Sequence, residues 1–290
     1  MSEASELEWK SLDPSDIPLS EIDLVDPQIF HNDFHVKIFE RLRSESPVHY
    51  QRDHEVVGSF WNVTRYEDIM SVDTDPATYS SEGSIVATDQ EEEFPLPMFI
   101  AMDPPKHDKQ RKEVSPVVGP KNLAKMEGTI RKRAGDILDS LPINKEFNWA
   151  DNVSIELTTQ MLATLFDFPF EDRRKLTRWS DVATADEQSG IIESEEQRRA
   201  ELFECLEYFT GLWNERVNAP AKNDLISMLA HGESTRNMDP AEYLGNLILL
   251  IVGGNDTTRN SISGGIKFLN ENPLEYQKLR DNPSLIPNMV

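Results

Sequence analysis

Asp239-Pro240-Ala241-Glu242 followed by Leu247-Ile248-Leu249-Leu250-Ile251-Val252-Gly253-Gly254-Asn255-Asp256-Thr257-Thr258 is the stretch that decides the fold. An aspartate, a proline after it and a glutamate at the third helical position predict a helix start. Leu244, Leu247, Ile248 and Ile251 then recur at helical spacing. The unbroken apolar run from Leu247 to Val252 predicts burial around most of the circumference. No breaker follows until Pro273, so the helix runs about 30 residues, on the order of 45 Å at 1.5 Å per residue. Asp256 and Arg259 interrupt the apolar run well short of the roughly 18 residues of a membrane span.

The middle of this helix breaks local rules. Gly253 and Gly254 each cost about 1 kcal/mol relative to alanine in a helix interior. Asp256 beside Thr257 in an apolar stretch is costly without partners. Such conflicts concentrate at functional sites. A hydroxyl at Thr257 can bond the Gly253 carbonyl one turn back and open the helix locally, which predicts a kink. Gly253 lets a flat group approach the backbone. Leu249, Gly253 and Thr257 share one face, with Asp256 rotated roughly 100° away. A hydroxyl facing one compartment and a carboxylate facing another suit proton relay. Taken alone, the pair reads equally well as an aspartate capping a kink and a threonine bonded back to its own helix.

The pattern Gly253-Gly254-x-Asp256-Thr257-Thr258 resembles the oxygen-binding helix of the haem-thiolate monooxygenases, cytochrome P450. Met102-Asp103-Pro104-Pro105-Lys106-His107-Asp108-Lys109-Gln110-Arg111 resembles the segment in which that family opens its C helix with His-x-x-x-Arg. Phe60-Trp61-Asn62-Val63-Thr64-Arg65-Tyr66-Glu67-Asp68-Ile69 is similar to its early strand and B helix. The resemblance covers nearly all of the chain beyond the first ~40 residues. It implies a mainly α fold with a small N-terminal β-sheet, the cytochrome P450 fold, here incomplete at the C-terminus. It implies haem b as cofactor, with Asp256 and Thr257 as the proton-relay pair. His107 and Arg111 would hold the haem propionates, and Gly253 and Gly254 would lie against the cofactor. Ile85, Val86, Met98, Phe99, Leu249 and Gly253 would line the substrate pocket. It implies insertion of one oxygen atom of O2 into a C–H bond, with electrons from a ferredoxin and its reductase. Asn255, Arg259 and Asn260 around the shared core resemble the bacterial group that hydroxylates terminal methyl groups of alkanes and fatty acids.

Two parts of the family pattern are missing. The only cysteine, Cys205, lies in the amphipathic stretch Leu202-Phe203-Glu204-Cys205-Leu206 without the glycines of a haem-ligand loop. No Glu-x-x-Arg pair follows the long helix. The expectation is that residues 27–290 form the N-terminal part of a single cytochrome P450 domain, preceded by an acidic flexible segment at 1–26. No metal ligand is expected in this chain, and the chain by itself is expected to be an inactive fragment. The rival reading is a non-catalytic helical interaction protein, supported by the absent thiolate, the acidic surface and the amphipathic helices.

Composition narrows the partners. The net charge of -23 over 290 residues argues against nucleic acid, which requires cationic surface. One cysteine excludes an internal disulfide framework and fits a reducing cytoplasm. Residues 1–26 carry no apolar anchor. Between Lys106 and Arg133 the balance reverses, with nine Lys/Arg (Lys106, Lys109, Arg111, Lys112, Lys121, Lys125, Arg131, Lys132 and Arg133) against Asp108, Glu113 and Glu127. That stretch is either an ordinary solvated face or a dock for an acidic electron donor.

Elsewhere, Ile29 to Glu45 predicts a helix and Val48 to Tyr50 and Val56 to Val63 predict short strands. Thr64-Arg65-Tyr66-Glu67 predicts a capping box. Thr78 to Ile100 predicts an irregular loop that either lines a pocket or covers surface. Leu123, Met126, Ile130, Ala134, Ile137, Leu138 and Leu141 predict a buried stripe on a helix from Pro120 to Leu141. Further helices are predicted at 153–168, 171–184, 193–217 and 224–231. His31 and His35 share metal-binding spacing but lack a third ligand, and Glu91 to Glu93 reads as solvated loop.

Overall fold

The fold is mainly helical with one two-stranded antiparallel sheet among the described residues. The computed structural model describes residues 12–55, 57–88, 94–185 and 189–290. Residues 1–11 and the glutamate run Glu91 to Glu93 lie outside them. The chain divides into two compact units, Met1–Pro95 with Ile100–Pro104, and Leu96–Phe99 with Pro105–Val290.

In the first unit, short turns at Pro14–Asp16 and Leu19–Glu21 precede α1 (Pro27–His31), α2 (His35–Glu45), β1 (Val48–His54), β2 (Gly58–Val63) and α3 (Tyr66–Asp73). Part of the segment expected to be flexible is packed. Ile22 and Leu24 join Ile29, Phe34, Ile38 and Leu42 in one core, with Leu12, Ile17 and Leu19 against it. Apolar residues interleaved with the acids supply the burial, and Arg41 ties the segment down by donating to the Pro14 and Ile17 carbonyls. The single helix expected from Ile29 to Glu45 is two helices, because Asp33 adopts φ 55° and turns the chain between them. Polar side chains tolerate that left-handed region better than most. His31 and His35 therefore belong to separate helices, and the His35 ring stacks on Phe30 at 5.1 Å. The strands pair Val48 with Val63 and Tyr50 with Trp61. Alternation turns His49 and Gln51 inward. Thr64 forms no capping box; its hydroxyl donates to the Pro47 carbonyl at 3.0 Å and closes the foot of the hairpin.

The second unit contains α4 (Lys106–Val114), α5 (Pro120–Asp139), a π-helical turn (Ala150–Ile155), α6 (Glu156–Phe166), α7 (Arg174–Thr184) and α8 (Glu195–Val217). It continues with α9 (Leu225–His231), α10 (Pro240–Glu271), α11 (Pro273–Asp281) and α12 (Ile286–Met289). Caps set these boundaries. The side chains of Ser194, Asp224 and Asp239 accept from backbone amides in the first turns of α8, α9 and α10. Asp167, at φ 52°, stops α6. Helix α10 packs on α6, α7, α8 and the π-turn. Leu244, Leu247 and Ile251 are buried along it, and α7 contributes Leu176 and Trp179.

The stripe predicted on α5 is not a buried one. Ile137 alone of α5 is buried, whereas Leu123 and Leu138 are 43% and 48% exposed. Both line an open groove with Ile130 and Ala134, so the helical period was right but no described element covers that face.

Candidate functional site

The proposed site is carried by α10, which is 32 residues long and continuous from Pro240 to Glu271. The helix is α-helical without a break through Gly253 to Thr257, where a local opening was expected. The Thr257 hydroxyl does donate to the Gly253 carbonyl, at 3.0 Å, but the helix runs through it. A carbonyl has two lone pairs, so it can take a second donor without losing the first. Gly253 and Thr257 are both exposed, and a Cβ built at Gly253 meets nothing within 4 Å. Leu249, one turn before Gly253, is half-buried. This face therefore offers a bare backbone next to a hydroxyl.

Asp256 lies on a different face. Its Oδ1 accepts from the Ser180 hydroxyl at 2.9 Å and from Arg259 Nη2 at 2.9 Å. Arg259 Nη2 also reaches Asp181 Oδ1 at 2.8 Å. Ser180 is fully buried on α7, so Asp256 is held between two helices. Its partners are Ser180 and Arg259, not Thr257.

Gly254 departs from its expected role. A Cβ there would stand 2.7 Å from Leu162 Cδ1, so its missing side chain serves contact with α6 rather than approach of a cofactor. The adjacent Asn255 is fully buried and accepts from Thr158 of α6 at 3.3 Å.

His107 and Arg111 lie one turn apart on α4. His107 Nδ1 is 2.8 Å from the Phe99 carbonyl, and its ring meets the Phe99 ring edge-on at 6.3 Å. Arg111 is exposed, and no ion pair engages its guanidinium among the described residues. Two nitrogen donors one turn apart, neither spent on a carboxylate, suit an incoming pair of carboxylates. Lys106 pairs with Glu242 of α10 at 3.0 Å, and Glu242 also accepts from Gln110.

The four loop residues expected in one pocket are not alike. Ile85 and Val86 belong to the first unit and are exposed. Met98 and Phe99 belong to the second and are each 8% exposed, hence core residues rather than open lining. The Phe99 amide donates to Asn246 Oδ1 at 2.9 Å, which draws the segment onto α10.

Cys205 is buried in α8, and burial pushes its thiol far up, away from thiolate formation. It is not a candidate metal ligand. No group of three His, Cys, Asp or Glu is placed to hold a metal among the described residues. Sequence reasoning missed Ser180, Asp181, Gln110 and Asn246 as parts of the site. Only Arg259 left a readable signal, since it stands three residues after Asp256 on the same helix.

The chain is 31% identical over 278 residues to linalool 8-monooxygenase of Pseudomonas putida, a match spanning 91% of this chain and 68% of that protein. The chain belongs to the cytochrome P450 family. Among solved structures, it superposes on cytochrome P450-153 from Novosphingobium aromaticivorans with a TM-score of 0.83 and 42% identity, covering 92% of this chain and 67% of that one. CYP153D17 from Sphingomonas sp. PAMC 26605 gives a TM-score of 0.81 and 45% identity, covering 90% of this chain and 66% of that one. No protein-family model matches the chain. The chain spans from 61% to 69% of the length of curated relatives. Cytochromes P450 use haem b. The donor set on α4 and the bare face at Gly253 fit that group, whereas the one cysteine does not fit its axial ligand. No helix among the described residues is long and apolar enough to cross a membrane.

Proposed function

We propose that this cytochrome P450 is a haem-dependent monooxygenase that inserts one oxygen atom of O2 at the terminal carbon of a medium-chain alkane or fatty acid. The observation that carries this reading is the division of labour on α10. Gly253 and Thr257 present a bare backbone and a hydroxyl on one face, while Asp256 is anchored to Ser180 and Arg259 on another.

Haem supplies the oxygen activation. His107 and Arg111 hold its carboxylates, as donors of matching charge and reach. Gly253 allows the flat group to approach α10, and Leu249 gives the neighbouring apolar wall. Thr257 holds a proton at its hydroxyl, with the Gly253 carbonyl orienting it. Asp256 relays protons from the side of α7. The terminal position and the alkane or fatty-acid class rest on the resemblance carried by Asn255, Arg259 and Asn260. Ferredoxin is the proposed electron donor, because Lys109, Lys112, Lys121 and Lys125 are exposed without carboxylate partners among the described residues of an otherwise acidic chain. A cytoplasmic location is part of the proposal, supported by the single cysteine, which fits a reducing compartment.

The test is performed on the protein produced from its full reading frame. Its reduced, carbon-monoxide-treated form is expected to show the absorbance of a thiolate-ligated haem, and turnover with an alkane series is expected to give primary alcohols. Absence of that absorbance defeats the enzyme reading. Secondary alcohols as main products defeat the terminal assignment alone.

A further inference from the structure

We propose that Asn246 is a positioning residue for the haem grip: it fixes Phe99, whose carbonyl then accepts from His107 Nδ1 and holds the ring in one orientation, with Nε2 left to the cofactor. The proposal rests on the reading of His107 as a carboxylate ligand.

Asn246 is fully buried on α10, within the buried run Tyr243 to Ile248. An amide in such a place costs free energy unless it is bonded. Its Oδ1 accepts from the Phe99 amide at 2.9 Å. Its Nδ2 is 3.4 Å from Gln110 Oε1 and 3.1 Å from Met238 Sδ. Gln110, itself 2% exposed, is oriented by donating its own Nε2 to Glu242. Glu242 is in turn paired with Lys106. The direction of the Asn246 amide is therefore set from the far side, with Oδ1 aimed at Phe99.

The preceding residue is fitted to the same task. A Cβ at Gly245 would stand 2.1 Å from the Pro97 carbonyl oxygen, so backbone of the 96–99 segment lies directly on the helix. Glycine contact at Pro97 and the hydrogen bond at Phe99 locate the segment at two points. The Phe99 carbonyl is then delivered to His107 Nδ1 at 2.8 Å. A carbonyl only accepts, so Nδ1 is the nitrogen that carries hydrogen in the neutral ring. Nε2 is left for the cofactor. A carboxylate also only accepts, so the ring that grips one carries hydrogen on both nitrogens.

The experiment reads the His107 ring by nitrogen NMR in the histidine-labelled chain, assigned with His107→Gln, and the exchange rate of the Phe99 amide. In the unsubstituted protein the neutral ring is expected as the Nδ1–H form with a protected Phe99 amide. In Asn246→Leu the Phe99 amide is expected to exchange about tenfold faster, the worth of one hydrogen bond, and the Nδ1–H preference to be lost. Asn246→Asp retains an acceptor facing the Phe99 amide and is expected to keep the Nδ1–H form. An Nε2–H ring in the unsubstituted protein overturns the proposal without recourse to any variant. So does an unchanged ring and amide in Asn246→Leu. Haem transfer from the loaded full-length protein to apomyoglobin tests the underlying reading separately. Both Asn246→Leu and His107→Gln are expected to speed it about tenfold, each losing one hydrogen bond at the grip. If His107→Gln leaves transfer unchanged while Asn246→Leu alters the ring, His107 is no haem ligand and the positioning link itself stands.

Discussion

Asp256 and Arg259, one turn apart on α10, are joined by a 2.9 Å ion pair, and the same guanidinium nitrogen reaches Asp181 of α7 at 2.8 Å. One cation thus bridges two carboxylates at a helix–helix contact. These side chains are 18–29% exposed, between the surface and buried limits. Arg259→Leu leaves two acids facing each other and is expected to lower unfolding stability by about 1–3 kcal/mol, with Arg259→Lys recovering part of it. Urea unfolding of the full-length protein measures both. Equal stability of all three proteins would mean the pair contributes nothing to α7–α10 contact.

The two adjacent glycines are expected to answer oppositely to alanine. Gly253→Ala adds a methyl that meets no atom of this chain within 4 Å. It is expected to leave folding unharmed, or to gain up to about 1 kcal/mol from helix propensity, while weakening haem binding. Gly254→Ala sets a methyl 2.7 Å from Leu162 Cδ1 in a packed contact. It is expected to cost up to about 2 kcal/mol, the overpacking against Leu162 less the helix-propensity gain of alanine. Thermal midpoints and haem content of the two variants separate the roles, and equal behaviour would contradict them.

Those glycines also show how far the sequence could be read. Local pattern sufficed for the helix from Asp239 onward, because cap, proline and apolar period agree over many turns. It sufficed for the uneven chemistry around Asp256 and Thr257. It gave Gly253 and Gly254 the same task, since which glycine meets a neighbour depends on where α6 lies. Asn246 and Ser180 were invisible for the same reason: their partners, Phe99 and Asp256, are 147 and 76 residues away in sequence. The bond of Thr257 to Gly253 predicts a local opening of the helix, and the bond is present in a helix that is unbroken there. The stripe on α5 had correct periodicity, but period alone does not state what covers a face.

Glu156 supplies a pH dependence. Burial pushes its carboxyl up, but hydrogen bonds from Gln160 and Arg173 and the charges of Arg173 and Arg174 outweigh it and hold the group below the ordinary 4.5. The unfolded chain then binds the proton more readily than the folded one. The stability contributed is therefore present above pH 4.5 and is lost as pH falls through the folded value. Glu156→Gln is expected to cost about 1–3 kcal/mol near neutrality, and the difference from the unsubstituted protein is expected to shrink below that pH. Urea midpoints across an acid pH series check it, and a difference that stays constant with pH would refute the assignment.

The most direct test of the site on α10 is the fate of electrons in Thr257→Ala, prepared as the haem-loaded full-length protein and supplied with electrons from NADH through the proposed ferredoxin donor. Alanine removes the hydroxyl that the Gly253 carbonyl orients and leaves the helix itself in place. The measurement is the ratio of hydroxylated product to NADH consumed, with hydrogen peroxide determined in parallel. The account predicts that NADH consumption continues while product falls and peroxide rises to take its place. An unchanged ratio of product to NADH would contradict it.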